Sequence, residues 1–466
     1  MLTGDAHDRP GGVADAAVVT DSFPRTFYLR SFGCQMNDHD AERIHGMLAD
    51  MGVRRVEAPE EADLLVFNTC SIREKADSRL LGHLGGAKRL KQADPGRIVA
   101  VTGCLPQSRG NAFFRDHPYV DILLGPQSLH ELPFQLRRKL DGETGCSSFQ
   151  EHTSTFSAEL SRARVEGPRA WLQIMTGCTN YCSYCIVPYV RGPEASRQPG
   201  DIVEEAERLA AEGVREITLL GQNVNAYGRE PGFTGRTDFA GLLHLLAAVP
   251  GLARIRFMTS HPRDVSPELI GTMARLPTVC EHLHLPAQSG SDAILAAMRR
   301  GYTREDYLRL VDRLRESIPG LALSSDLIVG FPGETDEDFE DTLSLVERSG
   351  FHTAFTFIYS PRPRTRAIDL PGRVDRSVAE ARVERLIALV QQQAEAANRA
   401  LVGEEVEVLV ERSSRHDPDM WMGRTRTHKT VNFRGAASPG DLLMVKVEAA
   451  TSTSLRGSQG VAVNER

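Results

Sequence analysis

Short apolar runs, each broken off by Gly, Asn or Pro, open the chain in a regular rhythm: TFYLRSFG, DLLVFNTC, RIVAVTGC and VDILLGP, with helically spaced segments between them. Strands that alternate with helical segments predict a parallel sheet, because parallel neighbours need a crossover between them. Residues 25–140 are therefore expected to form an N-terminal parallel α/β domain. The segments share a spacing but no consensus, which sets a solenoid of repeats aside. From 141 to 168 the pattern dissolves into Ser, Thr and Glu without periodicity, the signature of a linker.

A second rhythm follows over 169–400. Six strand candidates, AWLQIMTG, REITLLGQ, ARIRFMTS, CEHLHLPAQ, LALSSDLIVG and TAFTFIYS, are mostly followed by helical spacing. They predict a central partial (β/α)6 barrel with long helices at 200–213 and 376–400 on its outside. Active sites of such barrels lie at the C-terminal ends of the strands. Beyond Leu401 the period drops to two, in EEVEVLVE, MWMGRTRTHKTVNF and DLLMVKVEAATSTSLRGS, with Gly or Pro turns between. That predicts a small C-terminal all-β, OB-like barrel over 401–466, and the fold class is a multidomain α/β chain.

With 466 residues the chain is long enough for three domains and for a core that needs no disulfides. A net charge of −7 excludes a protein that coats nucleic acid indiscriminately, and no apolar run has the length to cross a bilayer. Residues 1–24 carry Asp5, Asp8, Asp15 and Asp21 among small residues and read as a disordered cytoplasmic tail, since a secretion signal has a basic start and an apolar stretch. Eight cysteines in such a chain point to metal ligands or catalytic thiols instead of disulfides.

Spacing gives those cysteines their chemistry. MTGCTNYCSYC places Cys178, Cys182 and Cys185 as C-x3-C-x2-C directly after the first barrel strand. A cubic 4Fe-4S cluster is usually held by four thiolates, so three leave one iron open. An open iron can chelate S-adenosylmethionine, and an electron from the reduced cluster then yields a 5′-deoxyadenosyl radical able to abstract hydrogen from an unreactive carbon. A structural zinc loop would favour a second cysteine pair elsewhere, and none exists. Downstream, GQNVNAYG offers the amides of Gln222 and Asn223. The fifth strand, leading into DLIVGFPGET, offers Ser324, Asp326 and glycines that admit close backbone approach. These are the expected contacts to S-adenosylmethionine.

A second triplet is spread along the chain. Cys34, Cys70 and Cys104 end three strands, in SFGCQMN, VFNTCSI and VTGCLPQ. The carboxyl ends of neighbouring parallel strands converge on one crevice, so these thiols are expected to meet and hold a second cluster whose open position can take a sulfur species. Cys146 and Cys280 have no partners in any spacing and are expected not to be ligands.

These segments, with LHLPAQSGSD and MTGCTNYCSYCIVPYVRG, resemble the methylthiotransferase family of radical S-adenosylmethionine enzymes over nearly the whole chain from Arg25 onward. GCQMN and GRTRTHKTVNF are similar to its MiaB-type, tRNA-modifying branch. The resemblance implies two 4Fe-4S clusters, an auxiliary one on Cys34, Cys70 and Cys104 and a radical one on Cys178, Cys182 and Cys185. It implies a two-part reaction, in which one S-adenosylmethionine methylates a sulfur at the auxiliary cluster. A second generates the radical that removes hydrogen from C2 of N6-isopentenyladenosine beside the anticodon. An electron donor such as flavodoxin or ferredoxin, a sulfur source and action as a monomer are expected with it. Two segments depart from the family pattern: RGPEASR has Pro193 where a basic residue is usual, and SPRPRTRA has Arg364 where glycine is usual.

The last barrel resembles the TRAM domain, an RNA-binding module. Arg412, Arg415, Arg424, Arg426 and Lys429 are the expected cations for the phosphates of a tRNA anticodon stem-loop, and Trp421 the expected platform for a base. Competing readings are methylthiolation of threonylcarbamoyl adenosine or of a ribosomal protein, a non-catalytic iron-sulfur electron-transfer protein, and an RNA-binding protein with structural zinc.

Overall fold

The structure, a computed structural model, describes residues 23–71, 74–150, 167–414, 417 and 419–460, without the side chains of 74–78. Nearly all of the tail expected over 1–24, and 151–166 of the expected linker, lie outside these residues.

The first sheet has six parallel strands in the order Arg54–Arg55, Thr26–Phe32, Leu64–Thr69, Ile98–Gly103, Ile122–Leu124 and Cys146–Ser148. Its central strands Leu64–Thr69 and Ile98–Gly103 are buried along their whole length, which is why they read as unbroken apolar runs. Leu64 and Val66 point into one core with Phe27 and Ile44, while Leu65 and Phe67 point into another with Leu80 and Val99. The sheet corrects the linker boundary. Cys146–Ser148, inside the polar stretch, is an edge strand in register with Ile122–Leu124, and the Cys146 side chain is sealed in the core beside Leu132 and Leu136.

The second domain is the six-stranded partial barrel. Arg169–Gln173, Glu216–Leu220 and Arg254–Phe257 form one parallel set, and His282–His284, Ala322–Val329 and Thr353–Ile358 another. A parallel bridge between Ile255 and Val279 joins them. Among the described residues no pairing closes Thr353–Ile358 onto Arg169–Gln173, so the barrel is open along one side. Helices Pro199–Ala211 and Arg376–Arg399 stand on its outside, where their 3.6-residue spacing put them. Thr303 and Thr335 start two others with reciprocal capping boxes to Asp306 and Asp338.

Five strands close the C-terminal barrel in the order Glu405–Ser413, Trp421–Thr425, Thr430–Arg434, Ser454–Gln459 and Leu442–Ala450. It docks on the N-terminal ends of the central strands, the side away from their carboxyl ends. Arg254 donates to the Arg424 carbonyl at 2.8 Å and to Glu407 at 2.6 Å, and Arg256 to the Thr425 and Arg426 carbonyls, both at 2.6 Å. Arg169 pairs with Glu411 at 2.7 Å. Behind them lies fully buried Glu216: burial pushes its carboxyl up, but Arg256, Arg169 and Arg254 together hold it below the usual range. Removing one partner of such a buried network leaves a charge uncompensated, so the contact is costly to break.

Candidate active site

Each thiol of the first triad sits where a strand ends and the chain turns. Cys34 caps helix Gln35–Asp50, and its amide and thiol both face Asn37 Oδ1, at 3.4 and 3.5 Å. Asn37 in turn donates to the Thr69 carbonyl at 3.0 Å, and Asn68 donates to the Asn37 carbonyl at 2.7 Å, tying the first strand end to the second. Cys104 begins the helix Cys104–Arg109. Two glycines make this convergence possible. A Cβ on Gly33 would stand 2.6 Å from the Cys70 Cβ, and Gly103, at φ +98°, would press one into the Thr69 backbone. The Cys70 thiol and Cys34 are hydrogen-bonded, which lowers Cys34 well below the ordinary thiol range; burial pushes Cys104 up.

The second triad is local. A short antiparallel pair, Met175–Thr176 with Ala195–Ser196, pinches the loop that carries it. The Gly177 amide donates to Gln222 Oε1 at 2.6 Å, the Cys178 amide to the Gly192 carbonyl at 3.1 Å, and the Cys185 amide to the Cys182 carbonyl at 3.0 Å. Burial pushes the Cys178 thiol up to about 11 and the Cys185 thiol up to about 12. Among the described residues no three His, Cys, Asp or Glu side chains are set to share one metal ion. A cubane asks for a different arrangement, because each thiolate holds its own iron.

Both triads reach the same cavity. Cys34, Cys104, Cys178, Cys182 and Cys185 line a space of about 1220 Å³ between the N-terminal sheet and the carboxyl ends of the barrel strands, with Cys70 buried directly behind Cys34. Gln222, Asn223 and Asp326 line it as well. Ser324 does not: it lies deeper in the barrel, its hydroxyl between His282 Nε2 and His284 Nδ1, each at 3.1 Å. Of the four residues expected to touch S-adenosylmethionine, Ser324 is therefore the one set back from the cavity. Asn223 is engaged by Asp264 at 2.8 Å and Glu194 at 3.4 Å.

Two arginines stand one beside each triad: Arg191, the first residue of RGPEASR, and Arg300, which sequence reasoning missed. Arg191 is buried against Cys34 and Cys104 and pairs with buried Asp40 at 2.8 Å. Arg300, 4% exposed, donates to Cys182 Sγ at 3.4 Å, to the Tyr184 and Tyr302 hydroxyls at 3.5 and 3.0 Å and to the Pro286 carbonyl at 3.0 Å. Among the described residues no carboxylate pairs with it.

Three family models match the chain: the radical SAM superfamily over 172–346, the uncharacterized protein family UPF0004 over 26–125 and the TRAM domain over 399–459. The chain is 48% identical over 436 residues to the tRNA-2-methylthio-N(6)-dimethylallyladenosine synthase of Moorella thermoacetica, covering 93% of this chain and 98% of that one. It belongs to this synthase family. The Bordetella pertussis synthase is 45% identical over 434 residues, covering 92% of this chain and 97% of that one. The radical S-adenosylmethionine methyltransferase TsrM of Kitasatospora setae, solved with cobalamin and a 4Fe-4S cluster, shares the fold with a TM-score of 0.53 at 14% identity, covering 74% of each chain.

In this synthase family member the cations expected to grip RNA divide. Arg426 forms a two-pronged ion pair with Glu281 of the central barrel, both bonds 2.7 Å, and Arg424 packs between Glu411 and His428 at 3.3 and 2.7 Å. Lys429 donates to Asn398 of the last barrel helix, and burial lowers its amine to about 8. Trp421 is half-buried against the small barrel's core. Arg426 and Lys429 thus dock the domain on the central barrel, while Arg424 and Trp421 are engaged within the small barrel itself. Arg412 is exposed, and Arg415 lies outside the described residues. Cys280 is buried beneath the docking interface, and neither it nor Cys146 reaches the cavity.

Proposed function

We propose that this chain is a radical S-adenosylmethionine methylthiotransferase that converts N6-dimethylallyladenosine beside the tRNA anticodon to its 2-methylthio derivative. One observation carries the reading: thiols of two triads from two different domains, Cys34 and Cys104 of the one and Cys178, Cys182 and Cys185 of the other, line a single cavity. The C2–H of an adenine is not an acidic proton, so positioned acids and bases alone do not activate it. Cys178, Cys182 and Cys185 would hold one 4Fe-4S cluster, and Cys34, Cys70 and Cys104 a second. Bound between them, S-adenosylmethionine would supply both a methyl group and a carbon-centred radical.

The chain's own groups set the stage. Gln222 fixes the Gly177 amide and with it the loop that presents Cys178. Ligation at Cys178 and Cys185 must displace protons that burial retains, so cluster assembly releases protons into the medium. Burial, with Arg300 and Arg263 nearby, lowers His261 at the cavity wall to about 2, so it presents a neutral imidazole there. Arg30 and Arg79 on the N-terminal side of the cavity favour a phosphate-bearing substrate over a protein side chain. A tRNA anticodon stem-loop is the macromolecular partner, and its partly unpaired loop lowers the cost of turning the target base into the cavity. A one-electron donor such as flavodoxin or ferredoxin and a source of sulfur complete the system. The enzyme works as a monomer in the cytoplasm, where tRNA is.

Mass spectrometry of tRNA nucleosides from cells lacking the gene tests this. The methylthio nucleoside should vanish and its dimethylallyl precursor accumulate; an unchanged methylthio level would refute the assignment.

A further inference from the structure

The loop that carries Cys178, Cys182 and Cys185 has two sides. Cys178, Asn180 and Tyr184 line the cavity; Tyr181, 48% exposed, does not, and neither do Arg263, Arg299, Arg364 and Arg366 around it. Three barrel segments tie the loop down, and each brings an exposed arginine to the tie. Arg263 donates to Asn180 Oδ1. The Ser183 amide donates to the Met298 carbonyl at 3.0 Å, next to Arg299, and the Ser183 carbonyl accepts from the Ala367 amide at 2.9 Å, next to Arg366. Arg364, just before that last turn, lies over the Tyr189 ring at 5.1 Å, and the same ring meets Tyr181 edge-on, centroids 6.1 Å apart. Tyr181, Arg299 and Arg364 all hold left-handed backbone, at φ +46°, +59° and +69°, a conformation that side chains rarely adopt and that gathers at working surfaces. Carboxylates do not cancel the charge. Glu194 accepts from Thr179 and Asn223, Asp264 is engaged by Asn223 and Arg229 and lies 4.0 Å from Arg263, and Asp369 is exposed in the Arg366 turn. Among the described residues no carboxylate pairs with Arg299, Arg364 or Arg366. On a chain of net charge −7 this is a basic island around an exposed aromatic ring.

Resting on the radical chemistry of the function proposed above, we infer that this outer side of the loop, Tyr181 ringed by Arg263, Arg299, Arg364 and Arg366, is the docking face for an acidic one-electron carrier protein. Position supports this occupant. Tyr181 stands in the chain between Cys178 and Cys182, so a carrier seated on it is separated from the local triad by the loop alone. The cavity side stays open to RNA and S-adenosylmethionine while the carrier works from outside. In the transfer one electron leaves the carrier's flavin or iron-sulfur centre, which is oxidised by one, and enters the cluster held by Cys178, Cys182 and Cys185, which is reduced by one; no bond forms or breaks. Electron carriers meet their partners through small, transient interfaces steered by charge, which a few exposed arginines around one ring can supply. Phosphates would be drawn to the same charge, but a target base has to enter the cavity, whose N-terminal side has Arg30 and Arg79 for that purpose.

The test uses the anaerobically reconstituted holoenzyme and, as the carrier, a flavodoxin of net negative charge. Binding of oxidised flavodoxin, followed by thermophoresis, should weaken as salt rises; Arg364→Glu/Arg366→Glu should weaken it about tenfold at low salt and flatten the salt dependence. The rate at which limiting flavodoxin hydroquinone reduces the cluster, read by stopped-flow absorbance, should fall by about the same factor. Cleavage of S-adenosylmethionine with saturating dithionite and affinity for an anticodon stem-loop RNA should not change. Arg30→Glu/Arg79→Glu should do the converse, weakening RNA binding and leaving flavodoxin alone. Arg364→Gly, with iron content as in the wild type, should lower flavodoxin affinity about two- to threefold, so the outcome does not hang on the folding of the double variant. Undiminished flavodoxin binding after charge reversal would overturn the docking face, and so would a loss of RNA affinity in its place, which would mark an RNA surface instead. An equal loss with dithionite in the double variant, together with unchanged flavodoxin affinity in Arg364→Gly, would overturn it as well. A wild type that takes electrons at this face and cleaves S-adenosylmethionine but leaves the tRNA base unmodified would remove the proposed function and keep the docking face.

Discussion

The two thiol triads solve the same problem with opposite means. Cys178, Cys182 and Cys185 come from one loop, so their proximity is written into eight consecutive residues and needs only local turns. Cys34, Cys70 and Cys104 come from three strands and meet only once the N-terminal sheet has assembled, with Gly33, Gly103 and the Asn37–Asn68 bonds holding the strand ends together. Their charge environments differ as well. Arg191 beside the distributed triad is neutralised by Asp40, whereas Arg300 beside the local triad has no carboxylate among the described residues. A buried guanidinium without a counter-ion is costly unless an anion arrives. The local triad is thus built to receive negative charge, and the distributed one is already balanced.

The largest effect expected from this contrast is a separation of activities. Replacing Cys178, Cys182 and Cys185 with alanine should abolish both cleavage of S-adenosylmethionine and methylthiolation. Replacing Cys34, Cys70 and Cys104 should abolish methylthiolation while 5′-deoxyadenosine is still formed, as chromatography of the reaction mixture would reveal. Equal loss of both products in both variants would merge the two sites into one.

The arginines come next. Arg191→Met leaves Asp40 buried without its partner and should destabilise the metal-free protein by about 3 kcal/mol in chemical denaturation, with most of the loss recovered in Arg191→Met/Asp40→Leu. Arg300→Met should cost the metal-free protein less, about 1 kcal/mol or under, because four neutral partners are lost while an unbalanced charge is removed. Its effect should surface in the loaded enzyme as a lower midpoint potential of the radical cluster, read by EPR-monitored titration, since a nearby cation favours the reduced state. Identical behaviour of the two variants would erase the distinction.

A third region, the base of the barrel, is the control in which charge holds domains together. Glu281→Gln should loosen the small barrel by about 1–3 kcal/mol and speed proteolysis between 399 and 405, with both clusters intact by iron analysis. The smallest effect is expected at Arg364, which occupies a left-handed conformation, φ +69°, and lies over the Tyr189 ring at 5.1 Å. Arg364→Gly should change stability by about 1 kcal/mol or less, the gain in backbone ease offsetting the lost contact, and leave both potentials alone.

What the sequence made legible follows from the range of the interactions. The six-strand barrel, the closed small barrel and the local triad rest on periodicity and short spacing, which a linear reading captures. The distributed triad was legible because parallel topology brings strand ends together. Cys146–Ser148 was missed since a three-residue edge strand in a polar stretch has no period to detect. Arg424, Arg426 and Lys429 looked like an RNA surface because a basic run reads the same whether it faces solvent or a carboxylate 145 positions earlier, as Arg426 does with Glu281. Ser324 sits on the expected face of its strand but one layer too deep, and depth in a barrel has no sequence signature. Arg191 closes the family segment MTGCTNYCSYCIVPYVRG and opens RGPEASR, but nothing in either told that it would reach the distributed triad; Arg300 belongs to no motif.

The most direct test of two separate clusters is iron and sulfide per chain after anaerobic reconstitution, in the wild type and in each triple-cysteine variant. Two complete cubanes require about eight irons and eight sulfides, and about four of each should remain whichever triad is removed. A wild type holding only about four irons, or a variant in which removal of one triad empties both, would contradict the two-centre arrangement.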